Sequence, residues 1–221
     1  MKQNYLLSDL RKAAQVLLSA AVKETFPHVM LVGGRVTPLG FYSDFIFPFE
    51  FQKSFLPLLE EGMLRLVKSG ADFELNEMVP LSAEAFFSHK GELYRAQDVK
   101  EVEDSLVTLI TLGSFCDFTL EEFVCESTSD VGAFKLKSFE KIGRRDGKEV
   151  VRIFGAADFD KQSLKDFLKQ ESSIVQKIHT NIGEKLSLFS PFNEEGSLFF
   201  WRPKGAALIQ SLDRFIFESL E

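Results

Sequence analysis

Residues 113–155 read GSFCDFTLEEFVCESTSDVGAFKLKSFEKIGRRDGKEVVRIFG, and their second half decides the fold. Ala133-Phe134-Lys135-Leu136 and Val150-Val151-Arg152-Ile153-Phe154-Gly155 lie on either side of a short basic turn, Gly143-Arg144-Arg145-Asp146-Gly147. Aromatic and β-branched residues flanking a glycine-bearing turn predict a β-hairpin, because an Asp-Gly step accepts the positive φ angles that a tight hairpin turn demands. Upstream, Val107 to Leu112 is a β-rich run. It leads into Phe115-Cys116-Asp117-Phe118-Thr119-Leu120-Glu121-Glu122-Phe123.

The 221 residues are 45% hydrophobic and 27% charged, enough apolar surface for one large or two small domains and too much for a disordered chain. A net charge of -7 excludes a generic polyanion binder and argues against a DNA-binding protein; any nucleic-acid contact has to use a local basic patch. Core packing accounts most simply for the 24 phenylalanines, with base-stacking platforms as the alternative. The two cysteines, Cys116 and Cys125, have no metal-binding or redox spacing, so reduced thiols and a cytoplasmic location are expected. No apolar run reaches the ~18 residues that a membrane span needs.

Outward from the hairpin, residues 6–25 show Leu10, Ala14, Leu17, Leu18, Ala21 and Val22 at helical spacing. An amphipathic helix capped by Ser8 or Asp9 is expected there, ending near Phe26-Pro27. Val29 to Val36 and Gly40 to Phe45 read as strands. Residues 53–68 read as a helix closed by Ser69-Gly70, and Phe73 to Val79 as a strand. A short helix capped by Ser82 should follow. Asp160 to Ile178 carries a long apolar stripe, and Ala206 to Ser219 a last helix.

Two separate stretches carry a family resemblance. The pairing AFKL…RIFG resembles the second additional domain of threonyl-tRNA and alanyl-tRNA synthetases, which in those enzymes holds part of an editing site that hydrolyses mischarged tRNA. A helix ending in Phe26-Pro27, then a strand, then Gly40-Phe41-Tyr42-Ser43-Asp44-Phe45 resembles the opening of the threonyl-tRNA synthetase editing domain. Further on, 179–189 (HTNIGEKLSLF) and 196–205 (GSLFFWRPKG) resemble the entry to the class II catalytic domain. The resemblance implies an α+β editing fold with antiparallel sheets flanking a cleft over 1–157. A linker helix over 158–180 and a remnant of the catalytic domain over 181–221 follow from it.

It also implies where chemistry would sit. The family's His-x-x-x-His pair falls on Lys12 and Val16, or on Arg11 and Gln15 with a shift of one residue. Its core motif, aromatic-x-Asp-x-Cys-x-Gly-Pro-His, retains Asp117 but has Thr119 at the cysteine, Glu121-Glu122 at the turn and Phe123 at the last histidine. No catalytic residue and no metal ligand set is therefore assigned; Asp117 is expected to satisfy turn backbone, with a residual catalytic carboxylate as the alternative. Lys12, Tyr42, Arg95, Arg144 and Arg145 are the candidate tRNA contacts, with Arg95 read either as a cleft cation in place of a lysine or as an ordinary surface charge. ATP, magnesium and zinc would belong to a full-length parent enzyme, whose second and third class II motifs do not fall within these residues. The implied partners are tRNA(Thr), bound weakly, and a second copy or a synthetase packed on 206–219. The implied function is an editing-containing portion of a threonyl-tRNA synthetase with a degenerate site; a non-catalytic tRNA-binding or interaction module and a trans-editing hydrolase are the alternatives.

Overall fold

A computed structural model describes residues 5–177, 179–191 and 199–220. The chain forms two compact units, one ending at Asp166 and one beginning at Phe167.

In the first unit the hairpin is β6 (Ala133–Arg145) and β7 (Lys148–Asp158). Its two-residue turn has Asp146 at φ 52° and Gly147 at φ 75°, a primed turn whose twist suits the flanking strands. β7 pairs with β2 (Gly40–Ile46), which pairs with β1 (Met30–Thr37), giving an antiparallel sheet in the order β1-β2-β7-β6. A second antiparallel sheet has the order β3-β4-β5, from Glu74–Met78, Val107–Leu112 and Phe115–Thr119. The unit is thus α+β with antiparallel sheets.

Helix α1 (Leu7–Thr25) is the element that both sheets use. Phe41 and Phe45 on β2, Ile153 on β7, and Ile110 and Phe115 on β4 and β5 share one core with it. Helix α2 (Phe55–Ser69) packs on α1 through Leu59 and Met63 and ends on Gly70 in the left-handed region. Helices α3 (Pro80–His89) and α4 (Leu93–Lys100) enclose a smaller core in which Phe87, Ala96 and Val99 meet Val107, Leu109 and Cys116 of the second sheet. Successive β5 residues therefore part company, Phe115 and Asp117 toward the α1 side and Cys116 and Phe118 toward α3 and α4.

Three local expectations need correction. Ser8 does not cap α1; the N-cap is Leu6, and Asp9 reaches back to accept its N–H at 2.9 Å. Ser82 lies inside α3, which Pro80 starts, because the missing proline N–H is harmless in a first turn. And α1 is buried beyond its apolar stripe: Arg11, Gln15 and Ser19 are buried as well. Their polar atoms are satisfied. Arg11 donates to the carbonyls of Thr37, Pro38 and Ala157, and Gln15, Ser19 and Ser43 bond one another at 3.0–3.2 Å.

Helix α5 (Lys161–Lys177) begins on Asp160, whose carboxylate accepts the N–H groups of Gln162 and Ser163. Ile178, the expected end of that helix, lies outside the described residues. In the second unit α6 (His179–Lys185) precedes β8 (Phe189–Pro191), which pairs antiparallel with β9 (Phe199–Trp201) before α7 (Pro203–Leu220). Residues 196–198 of the expected class II stretch are outside the description. Leu208, Leu212, Phe215 and Ile216 leave an apolar side of α7 exposed. No described helix is long and apolar enough to cross a membrane.

Candidate functional site

A cleft of about 260 Å³ opens in the first unit between α1, β1 and the end of β5. α1 supplies Lys12, Gln15 and Val16, one turn apart on one face. β1 supplies Gly34 and Arg35, α4 supplies Arg95, and β5 with its following turn supplies Asp117, Thr119 and Glu121. Positions far apart in sequence therefore meet here.

The floor is an ion pair. Arg95 Nε donates to Asp117 Oδ1 at 2.6 Å, and both residues are buried, 8% and 5% exposed. The reading of Arg95 as a surface charge is thus corrected. Its Nη1 donates to Asp98 Oδ2 at 3.0 Å and its Nη2 to the Phe118 carbonyl at 3.3 Å, while the guanidinium lies 4.1 Å from the centre of the Phe118 ring. The same Asp117 oxygen accepts the Phe118 N–H at 2.8 Å. Asp117 thus satisfies local backbone, as expected of a carboxylate at a strand end.

The rim is a second pair. Lys12 Nζ lies 2.6 Å from Glu121 Oε2 and donates to the Glu122 carbonyl at 2.9 Å. The hydrogen bond from Lys12, and then its charge, hold the Glu121 carboxyl below its ordinary range. Thr119 closes the turn: its hydroxyl donates to the Glu121 carbonyl and accepts the Glu121 N–H, both at 3.1 Å. Behind the rim, Gln15 Nε2 donates to the hydroxyls of Ser43 and Ser19. A Cβ at Gly34 would lie 2.4 Å from that nitrogen, so the strand passes where a side chain would displace the amide.

Lys12, Val16, Arg95, Asp117 and Thr119 are therefore brought together. Phe123 is not: it packs in the core, 5.0 Å edge-on from Phe73. Tyr42 faces the other side of the sheet under Arg152, 3.8 Å from the guanidinium, which in turn holds Asp44 at 2.8 Å through two nitrogens. Arg144 is exposed in the hairpin and Arg145 is docked on α4. Sequence reasoning missed Arg35, Asp98 and Glu121. Glu121 was visible as a departure from the motif, but nothing local paired it with Lys12. Among the described residues no three His, Cys, Asp or Glu side chains converge as a metal site. Burial raises the pKa of both thiols, Cys125 to about 12, and Cys116 faces α3 and α4 rather than the cleft.

An α+β domain with a polar cleft, its buried cation already paired, is the class that this geometry defines. No protein-family model matches the chain. Over 95% of its length it is similar to curated proteins named threonine–tRNA ligase. It is 32% identical to that of Lawsonia intracellularis over 215 residues, 33% to that of Dehalococcoides mccartyi over 213, and 32% to that of Geobacter sp. strain M21 over 214. The match covers 33%, 36% and 33% of those proteins, so the chain spans about a third of the length of the curated relatives it matches. The chain is thus similar to a region of threonine–tRNA ligases.

Proposed function

We propose that this chain is an N-terminal, editing-domain-containing portion of a threonyl-tRNA synthetase, or of a close paralogue, whose Ser-tRNA(Thr) deacylase cleft no longer hydrolyses its ester. In this reading 1–157 is the editing-type domain, 158–180 the linker and 181–221 the start of a class II catalytic domain, in a cytoplasmic protein of translation. The partner is tRNA(Thr), held weakly. Aminoacylation, with its ATP, magnesium and zinc, belongs to a longer parent enzyme.

The observation that carries the reading is the meeting of Lys12, Val16, Asp117 and Thr119 in one cleft. These are the positions that the resemblance gives to the editing motifs in one of its two registers, and no histidine or cysteine stands at any of them. Water attack on an aminoacyl ester needs a positioned base or a metal-bound water. One Asp117 oxygen already holds two donors, from Arg95 and Phe118, and Lys12 is committed to the rim. Loss of a general base alone slows such reactions by roughly 100- to 10,000-fold. A deacylation time course with Ser-tRNA(Thr), run beside an intact editing domain, tests this. Hydrolysis within tenfold of the control would overturn it and favour a trans-editing hydrolase.

The exposed apolar side of α7 favours a second reading, a non-catalytic module that binds tRNA or packs on a synthetase through 206–219. A monomer at all concentrations, with no tRNA binding, would remove it.

A further inference from the structure

The basic turn of the hairpin looks like a phosphate contact, yet half of it points inward. Arg145 lies 4.7 Å over the Tyr94 ring, and its Nη2 donates to Asp98 Oδ1 at 2.8 Å and to Gln97 Oε1 at 3.2 Å. Burial first, and then the neighbouring Asp146 carboxylate that bonds it, raise the pKa of the Tyr94 hydroxyl. The turn is therefore docked on α4 by two side chains. Asp98 is shared: its second oxygen accepts Arg95 Nη1 at 3.0 Å, and Arg95 Nε reaches Asp117 at 2.6 Å. Four alternating charges, Arg145, Asp98, Arg95 and Asp117, run from the hairpin turn to the cleft floor.

We propose that Arg145 is a positioning residue: through Asp98 it fixes the Arg95 guanidinium, and so sets the Asp117 carboxylate that any ligand entering the cleft would meet. This deepens the reading of the cleft as the binding site and rests on it for its functional meaning. The physical reason lies in what Asp98 would do alone. An i,i+3 pair on one helix is weak, about 0.2–0.5 kcal/mol, so Asp98, at 29% side-chain exposure, is poorly held by Arg95 unaided. Arg145 comes from another strand and fixes it from the far side. Without that hold Asp98 turns either to water or fully onto Arg95, and both outcomes rotate the fork away from Asp117. Charge alone predicts something different: Arg145→Gln removes a cation and Asp98→Asn removes an anion, so as independent surface charges they would act in opposite senses.

The test is the solvent exchange of the Arg95 side-chain Nε–H, followed by NMR on the full chain with no RNA present. Its proton is buried in the bond to Asp117 and should exchange slowly. Arg145→Gln and Asp98→Asn should both speed that exchange, by about tenfold if one charge-assisted hydrogen bond is lost. Arg145→Lys, which keeps a point charge toward Asp98, should recover most of the protection. A variant counts only if its backbone spectrum stays native, and Asp98→Asn is the milder change because it leaves Arg145 on Tyr94 and Gln97. Exchange within twofold of the parent in both variants would overturn the proposal, as would opposite shifts. Because no RNA enters this measurement, a failure to bind tRNA counts against the cleft reading and not against this one.

Discussion

Removing Arg95 should cost far more than neutralising Asp117, although the two form one pair. Arg95→Met takes away the cation facing a buried carboxylate and leaves Asp117 with the Phe118 N–H as its remaining donor. Breaking a buried pair in this way costs about 3–5 kcal/mol. The lost stack on Phe118 adds about 1 kcal/mol. Asp98 is not stranded, because Arg145 still holds it. Asp117→Asn is milder, since an amide oxygen can keep the Phe118 N–H and Arg95 retains Asp98 at 3.0 Å as its counter-charge. The loss is then that of one charge-assisted hydrogen bond, about 1.5–3 kcal/mol. For a domain of this size each kcal/mol moves Tm by roughly 2–4 °C, so Arg95→Met should lower it by roughly 8–24 °C and Asp117→Asn by less than about 12 °C. Calorimetry or far-UV circular dichroism is the assay. Equal costs for the two variants, or an Arg95→Met cost below 1 kcal/mol, would refute the reasoning.

Stability should decline as pH rises above about 9, because the Cys125 thiol, pushed up to about 12 by burial, stays neutral in the folded chain while the unfolded thiol ionises. The raised folded value means the contribution is full below the unfolded pKa and lost as pH climbs toward 12, so Cys125→Ala should flatten the alkaline limb of a Tm–pH profile. Gly34→Ala should cost about 1–3 kcal/mol, because its methyl would meet both the Gln15 amide and, at 2.8 Å, the Tyr42 carbonyl; Gln15→Ala should relieve only the first, and fully additive losses in urea titrations would show that the amide is not what the methyl meets. If tRNA binds through Arg35 and Arg144, the exposed arginines left near the cleft and at the hairpin, two phosphate contacts imply a slope of log K against log salt near -1.4; a slope steeper than about -3 would require cations that the cleft does not offer.

The hairpin was legible because its turn chemistry is local: Asp146 and Gly147 adopt the positive φ angles that the dipeptide suggests. The long helices were legible from spacing, and the strand at 107–112 from its β-branched run. Caps were less so, since Ser8 and Ser82 are good capping residues one or two positions from where tertiary packing starts each helix. The site was legible as positions but not as contacts. Nothing near Arg95 in sequence says that Asp117 will fold against it. Likewise nothing near Gln15 in sequence names its partner, because Ser43 comes from a strand that the helix has yet to meet. Phe123 shows the reverse case. Its place in the motif suggested the cleft, but an apolar ring at that turn gains more by joining Phe73 in the core.

The substitutions in the cleft are also physically matched to one another. In one register of the resemblance Lys12 stands at a histidine position, and Glu121 stands where the resemblance gives the glycine of a tight turn. These two meet at 2.6 Å, with the next carbonyl, that of Glu122, accepting a second bond from the same ammonium. Thr119, at the cysteine position, ties the same turn through its hydroxyl. An ammonium, a carboxylate and a hydroxyl thus fasten α1 to the turn after β5. Glu121 is 80% exposed, so the ion pair itself adds little to stability; the carbonyl bond and the turn closed by Thr119 do more to fix the rim. On the proposed reading, Lys12→His alone would release the turn at Glu121-Glu122 as it adds an imidazole, so it should not raise Ser-tRNA(Thr) deacylation above that of the parent chain.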